Sequence, residues 1–173
     1  MRRIVLLLCL AIAGSTYGQP DEESIGASDR NQELHRLAEG LPDVLPIDAD
    51  EAVDAALAVE TAQIPAELLI AIAWGESRFV PTTVTGKACG PMQTISTSLA
   101  GCLAMQAPIV GFGAGVAELT AWLRLSRGDL RLALAGYACG MSAFSGTCHK
   151  MAWPGWVLYR ARRLGYRSQV PRS

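Results

Sequence analysis

Between Pro65 and Pro81 lies AELLIAIAWGESRFV, apolar at almost every position from Leu68 to Gly75. A residue that precedes proline avoids the helical region, so Ile64-Pro65 is a break, and Pro65 itself suits the first turn of a new helix. The stretch predicts a helix from Pro65 to about Phe79, stopped before Pro81. Leu69, Ile72 and Ala73 precede Glu76 by seven, four and three residues, so all four share one face. Glu76 therefore continues an apolar stripe at the point where the helix runs into a loop. A carboxylate half-buried among apolar groups has a raised pKa, stays protonated near neutral pH and can act as a general acid. By position alone the same group could also pair with Arg78 or Lys87, or sit in solvent.

The chain has 173 residues, half of them apolar, with a formal net charge of -1. That is enough for one domain with a hydrophobic core, and it excludes both a disordered chain and a strongly basic nucleic-acid binder. The first residues, MRRIVLLLCLAIAGSTYGQP, have two arginines, an apolar run and small residues around Thr16 and Gly18. They read as a secretory signal peptide over residues 1–18, too short to span a membrane, and imply an exported protein, periplasmic or secreted. No later stretch is long and apolar enough for a transmembrane helix. Four cysteines then remain, Cys89, Cys102, Cys139 and Cys148. An even number in an exported chain favours two disulfides; three connectivities are possible, and Cys89–Cys102 with Cys139–Cys148 is favoured because each pair is close in sequence. The spacing of Cys139, Cys148 and His149 fits no usual zinc pattern, so no metal is expected.

Charge is divided unevenly. Gln19 to Glu76 carries fourteen acidic residues against Arg30 and Arg36, whereas Ser77 to Ser173 carries eleven basic residues against Glu118 and Asp129. Either the halves neutralise each other within the fold, or the basic half faces an anionic polymer, for which cell wall is the better candidate than nucleic acid.

Residues 19–46 read as an acidic linker or N-terminal extension with one short helix over 31–40. Helices are predicted over 48–62, 65–79, 96–105, 115–126, 129–138 and 156–165, with Asp129 as a cap and loops over 80–92 and 139–155. No run alternates with period two and no repeat is visible, so the class is all-α with two structured loops.

Three short motifs occur in order: Gly75-Glu76-Ser77, Gly90-Pro91-Met92-Gln93, and Ala135-Gly136-Tyr137-Ala138-Cys139-Gly140. The series, from about Ile64 to Gly165, resembles the catalytic domain of soluble lytic transglycosylases, the lysozyme-like enzymes that cut peptidoglycan. That family shows a Glu-Ser pair at a helix end, then Gly-Leu-Met-Gln, then Ala-Tyr-Asn-Ala-Gly. The resemblance implies a lysozyme-like domain over residues 47–168, followed by a tail over 169–173, and an enzyme that needs no cofactor. It implies Glu76 as the catalytic acid and Ser77 as the residue that holds helix end to loop. Thr85 would supply a loop hydroxyl, Met92 and Gln93 would line the cleft, and Tyr137 would bring its hydroxyl to the carboxylate. Pro91 stands where the family has Leu, and Ala138 where it has Asn, which marks a divergent branch.

Most glycoside hydrolases use two carboxylates, and after Glu76 only Glu118 and Asp129 remain. The resemblance implies a mechanism with one carboxylate, which suits that scarcity, and peptidoglycan strands as the partner, with a secretion or conjugation machine as a further candidate partner. Phe144, Trp153 and Trp156 are candidates to stack on sugar rings or to fill the core. Two alternatives stay open: a lysozyme-type hydrolase with Glu118 as second acid, and a wall-binding protein without catalysis.

Overall fold

A computed structural model describes residues 22–167; the expected signal peptide and tail lie outside the described residues. Within them are seven α-helices: α1 (Glu22–Glu39), α2 (Pro46–Val59), α3 (Ala66–Ser77), α4 (Leu99–Ala104), α5 (Pro108–Leu125), α6 (Leu130–Cys139) and α7 (Trp153–Arg163). A 3-10 turn over Gly140–Ala143 follows α6. The chain is mostly helical, as expected, but it also has a small antiparallel sheet of β1 (Val84–Thr85), β2 (Ala88–Cys89) and β3 (Thr94–Ile95), in that order. Val84 pairs with Cys89, and Cys89 with Thr94. The loop over 80–92 thus holds a hairpin, turned at Gly86 and Lys87 with Gly86 at φ 64°.

The centre of the molecule is α3. Leu68, Leu69, Ile70, Ala71, Ile72 and Ala73 are all fully buried, so the helix is apolar all round and enclosed by its neighbours. The single stripe expected from Leu69, Ile72 and Ala73 is therefore a full girdle. α2 and α7 pack against α3, α1 lies on α2, and α5 packs against α2 and α6. Phe112 and Leu119 from α5, Leu134 from α6 and Val157 from α7 complete the core.

The reading of residues 19–46 as a linker is corrected by α1. Leu34 and Ala38, four residues apart, are buried in the core, and Arg30 from the same helix makes two bonds of 2.9 Å to Glu67 and bonds of 3.0 and 2.9 Å to Glu60. Two apolar side chains on one face and one arginine dock a helix whose remaining surface is polar, and that polar surface is what gave the segment a linker's composition. Asp129 caps α6 as expected, accepting from the Leu132 N–H at 2.9 Å.

Both favoured disulfides are present. Cys89–Cys102 ties β2 to α4 with Cα atoms 5.4 Å apart, and Cys139–Cys148 closes the second loop with Cα atoms 5.7 Å apart. The zinc reading of Cys139 and Cys148 therefore has no free thiolates to use. Closing a loop of this length stabilises a fold by about 3 kcal/mol through the unfolded chain. Replacing Cys89 and Cys102 together by Ala is expected to cost about that much in urea denaturation, and an unchanged midpoint would show that β2 and α4 stay docked without the bond.

Among the described residues, no helix is long and apolar enough to cross a membrane.

Candidate active site

Glu76 stands one residue before the end of α3. The helix stops because Arg78 adopts the left-handed conformation at φ 57°, its N–H bonding back to the Trp74 carbonyl. Phe79 follows at φ 67° and is buried. Two successive non-glycine residues with positive φ are strained, and burial of Phe79 offsets part of that cost. Glu76 is thus half-buried because the enclosed helix emerges at its last turn. Gly75 lets α7 come close: a side chain there would begin 2.7 Å from the Trp156 ring.

Burial raises the pKa of Glu76; the nearby Lys150 charge opposes that shift and the Glu118 carboxylate adds to it. Glu118, on α5, is also half-buried and also raised by burial, while the Trp122 indole N–H, 3.5 Å from its Oε1, and the Ile95 backbone favour its ionised form. No ion pair or side-chain hydrogen bond holds Glu76 among the described residues, so its proton is not committed to a structural partner. That answers the alternative of a pair with Arg78 or Lys87.

Two motif residues sew the site's walls together. The buried Ser77 hydroxyl lies 2.7 Å from the Pro91 carbonyl and 3.2 Å from that of Ala73, so its one proton joins the helix end to the loop. The Tyr137 hydroxyl donates to the Met92 carbonyl at 2.7 Å. Burial holds the Tyr137 phenol well above its ordinary range; Thr94 opposes this, and the charges of Glu118 and Glu76 add to it. Tyr137 is thus near enough to feel both acids' charges, yet its hydrogen bond goes to the loop rather than to Glu76.

The other expected residues behave differently. Met92 is fully buried, packed where a side chain on Gly115 would start. It is corrected from cleft lining to core, because no part of its side chain meets solvent. Gln93 has φ 51°, and its amide nitrogen donates to the Thr83 and Gly90 carbonyls at 2.9 Å each. Its donors brace the loop, leaving the amide oxygen for a ligand. Thr85 is exposed on β1. Of the aromatics, Trp153 stacks on Tyr137 with centroids 6.3 Å apart, and Phe144 packs on Trp122 at 5.9 Å. Trp156 is parallel to Trp74, with the Arg160 guanidinium 3.1 and 3.0 Å from the two ring centres. That sandwich commits Trp156 to packing.

Two residues that the motifs did not mark belong here. Thr94 follows Gln93 on β3; its hydroxyl is buried with no well-formed hydrogen bond among the described residues and lies close enough to Tyr137 to act on it. Lys150, two residues beyond the Cys139–Cys148 bond, lies close enough for its charge to act on Glu76. Among the described residues no group of His, Cys, Asp and Glu could hold a metal ion.

The chain matches no protein-family model, no curated protein and no solved structure.

Proposed function

We propose that the protein is an exported peptidoglycan lytic transglycosylase with a lysozyme-like catalytic domain, and that Glu76 is its acid–base catalyst. The observation that carries this reading is a half-buried carboxylate at the exit of the central helix, with a raised pKa and no ion-pair or side-chain hydrogen-bond partner among the described residues. It is supported by the order of the motifs around it: Ser77 and Tyr137 both fasten the Gly90–Gln93 loop beside the acid.

Protonated Glu76 donates to the oxygen that links N-acetylmuramic acid to N-acetylglucosamine. The substrate's own N-acetyl group stabilises the positive charge that develops. Ionised Glu76 then takes the proton of the muramoyl 6-hydroxyl, whose oxygen closes a 1,6-anhydro ring, and the acid is regenerated without water. Lys150, on the exposed loop, is placed to meet the anionic groups of the strand. A secretion or conjugation machine that needs local gaps in the wall is the partner class this activity would serve.

Digestion of purified peptidoglycan by the protein and by Glu76→Gln, with the products identified by mass, tests the reading. Products ending in 1,6-anhydromuramic acid, absent with the variant, are expected. Free reducing ends would move the assignment to a hydrolase. One observation favours that second reading: the half-buried Glu118 is near enough for its charge to raise Glu76. In that case Glu118→Gln would abolish cleavage as well. Wall binding with no products would leave a non-catalytic wall protein.

The pH profile has a definite sign. Catalysis starts from protonated Glu76, a form fully populated below its raised pKa and lost as pH rises through it. kcat/KM is expected to fall on the alkaline side of that pKa. Lys150 lowers the pKa, so Lys150→Ala should move the alkaline limb to higher pH. An unmoved or acid-shifted limb would remove Lys150 from the site.

A further inference from the structure

The charge division seen in the sequence is not cancelled in the fold. Every charged pair among the described residues lies within the acidic half: Arg30 with Glu60 and Glu67, and Arg36 with Glu33; the His35 ring nitrogens lie 2.8 and 3.3 Å from Asp50 and Asp54 in that same half. No lysine or arginine beyond Glu76 is paired there.

Six of these arginines converge on one place. An open trough of about 1960 Å³ is lined by Arg124, Arg127, Arg131, Arg162, Arg163 and Arg167. It lies at the N-terminal ends of α3 and α6 and the C-terminal ends of α5 and α7. Glu76 and Tyr137 sit at the other ends of α3 and α6, so the trough is away from the candidate active site, by about 14 Å along α3 alone. The acids of its facing wall are already engaged: Arg30 holds Glu60 and Glu67, Arg36 holds Glu33, and Asp129 accepts from the Leu132 N–H. The half-buried Leu37, Leu130 and Leu158 also line it, beside the buried Leu123, so the cationic lining is interleaved with partly exposed apolar surface.

We infer that this arginine-rimmed trough docks an acidic amphipathic segment of a protein partner, carboxylates to the arginines and apolar side chains to the leucines. The occupant follows from shape and charge. A bilayer is flat and cannot enter a trough. A nucleic acid or polyphosphate would satisfy the arginines and leave the exposed parts of Leu37, Leu130 and Leu158 in water, and Tyr166 is the one aromatic side chain among the described lining residues for a base to stack on. A helix about 10–12 Å across suits an open trough of this size. Arginine also suits carboxylates through its bidentate fork.

The test uses the purified full chain and a labelled helical 20-residue peptide with Glu on one face and Leu on the other, read by fluorescence anisotropy. Binding is expected, weakening as salt screens the arginines. The exposed triple reversal Arg124→Glu, Arg131→Glu, Arg162→Glu should lose at least about tenfold in affinity, and the neutral Gln triple a smaller part. A peptide with Ser in place of Leu should lose at least about tenfold. Absence of binding overturns the inference. So does equal binding of heparin or of anionic phospholipid vesicles with no dependence on the peptide's leucines, since that marks a general polyanion surface. Peptidoglycan digestion by the triple variants should stay at the parental level, and Glu76→Gln should bind the peptide normally, so failure of either reading is distinguishable from failure of the other.

Discussion

Glu76→Gln is expected to lower the release of muropeptides by about three to four orders of magnitude, or about 4–5 kcal/mol of transition-state stabilisation. A positioned acid–base group contributes up to about 10⁴-fold, and here one group acts twice, first as acid and then as base. The amide keeps the shape of the acid but can neither give nor take the proton. The same substitution should raise thermal stability above neutral pH. Burial raises the Glu76 pKa in the folded state, so the folded protein holds this proton more tightly than the unfolded chain. The stability so gained is full below the ordinary carboxylate pKa and is lost as pH rises to and through the raised value. Above that window the wild type carries a half-buried charge and the variant does not. Melting at pH 8 should therefore favour Glu76→Gln, while at low pH the two should coincide. A variant that digests the wall at near wild-type rate, or that melts lower at pH 8, would remove Glu76 from the role assigned to it.

What could be read from the sequence follows from how local each signal is. The helix α3 was legible because proline marks its start and apolar residues fill it, and the exposure of Glu76 was legible because it stands at the helix end. The reason for its half-burial was not, since a stripe and a girdle look alike in a short apolar run. The disulfide pairs were legible from their short separations. The sheet was hidden because each strand has two residues, too few to show a period of two. α1 was hidden because Leu34 and Ala38 are a weak signal in a polar segment. At the site, motif identity marked Met92 and Gln93, but only packing shows that one side chain points inward and that the other bonds its own loop. Thr94 is brought to Tyr137 by the sheet, and Lys150 toward Glu76 by the second loop. These are tertiary placements with no local mark.

That dependence on the loop makes Gly90 the most sensitive position outside Glu76. Gly90→Ala is expected to cost about 4 kcal/mol, with a parallel loss of activity. Gly90 has φ 74°, where any side chain is strained, and a Cβ there would stand 2.4 Å from the Met105 carbonyl oxygen. Strain of that kind costs about 1–3 kcal/mol and overpacking a similar amount. Relief is blocked on both sides. The Met105 N–H is bonded to α4 at Gly101, and Cys102 of that helix is tied to Cys89, the residue before Gly90. The Gly90 N–H donates to Thr83, and its carbonyl accepts from the Gln93 backbone and side chain. Movement at Gly90 would carry Pro91 and Met92 with it, and their carbonyls receive the hydroxyls of Ser77, the residue after Glu76, and of Tyr137. Gly86→Ala is the matched control. Gly86 also has positive φ, but a Cβ there meets nothing within 4 Å, so conformational strain alone should cost about 1 kcal/mol. Urea denaturation of both variants separates the contributions. Equal losses would mean that the α4 contact yields freely, and the loop could then not be the rigid wall that fixes the position of Glu76.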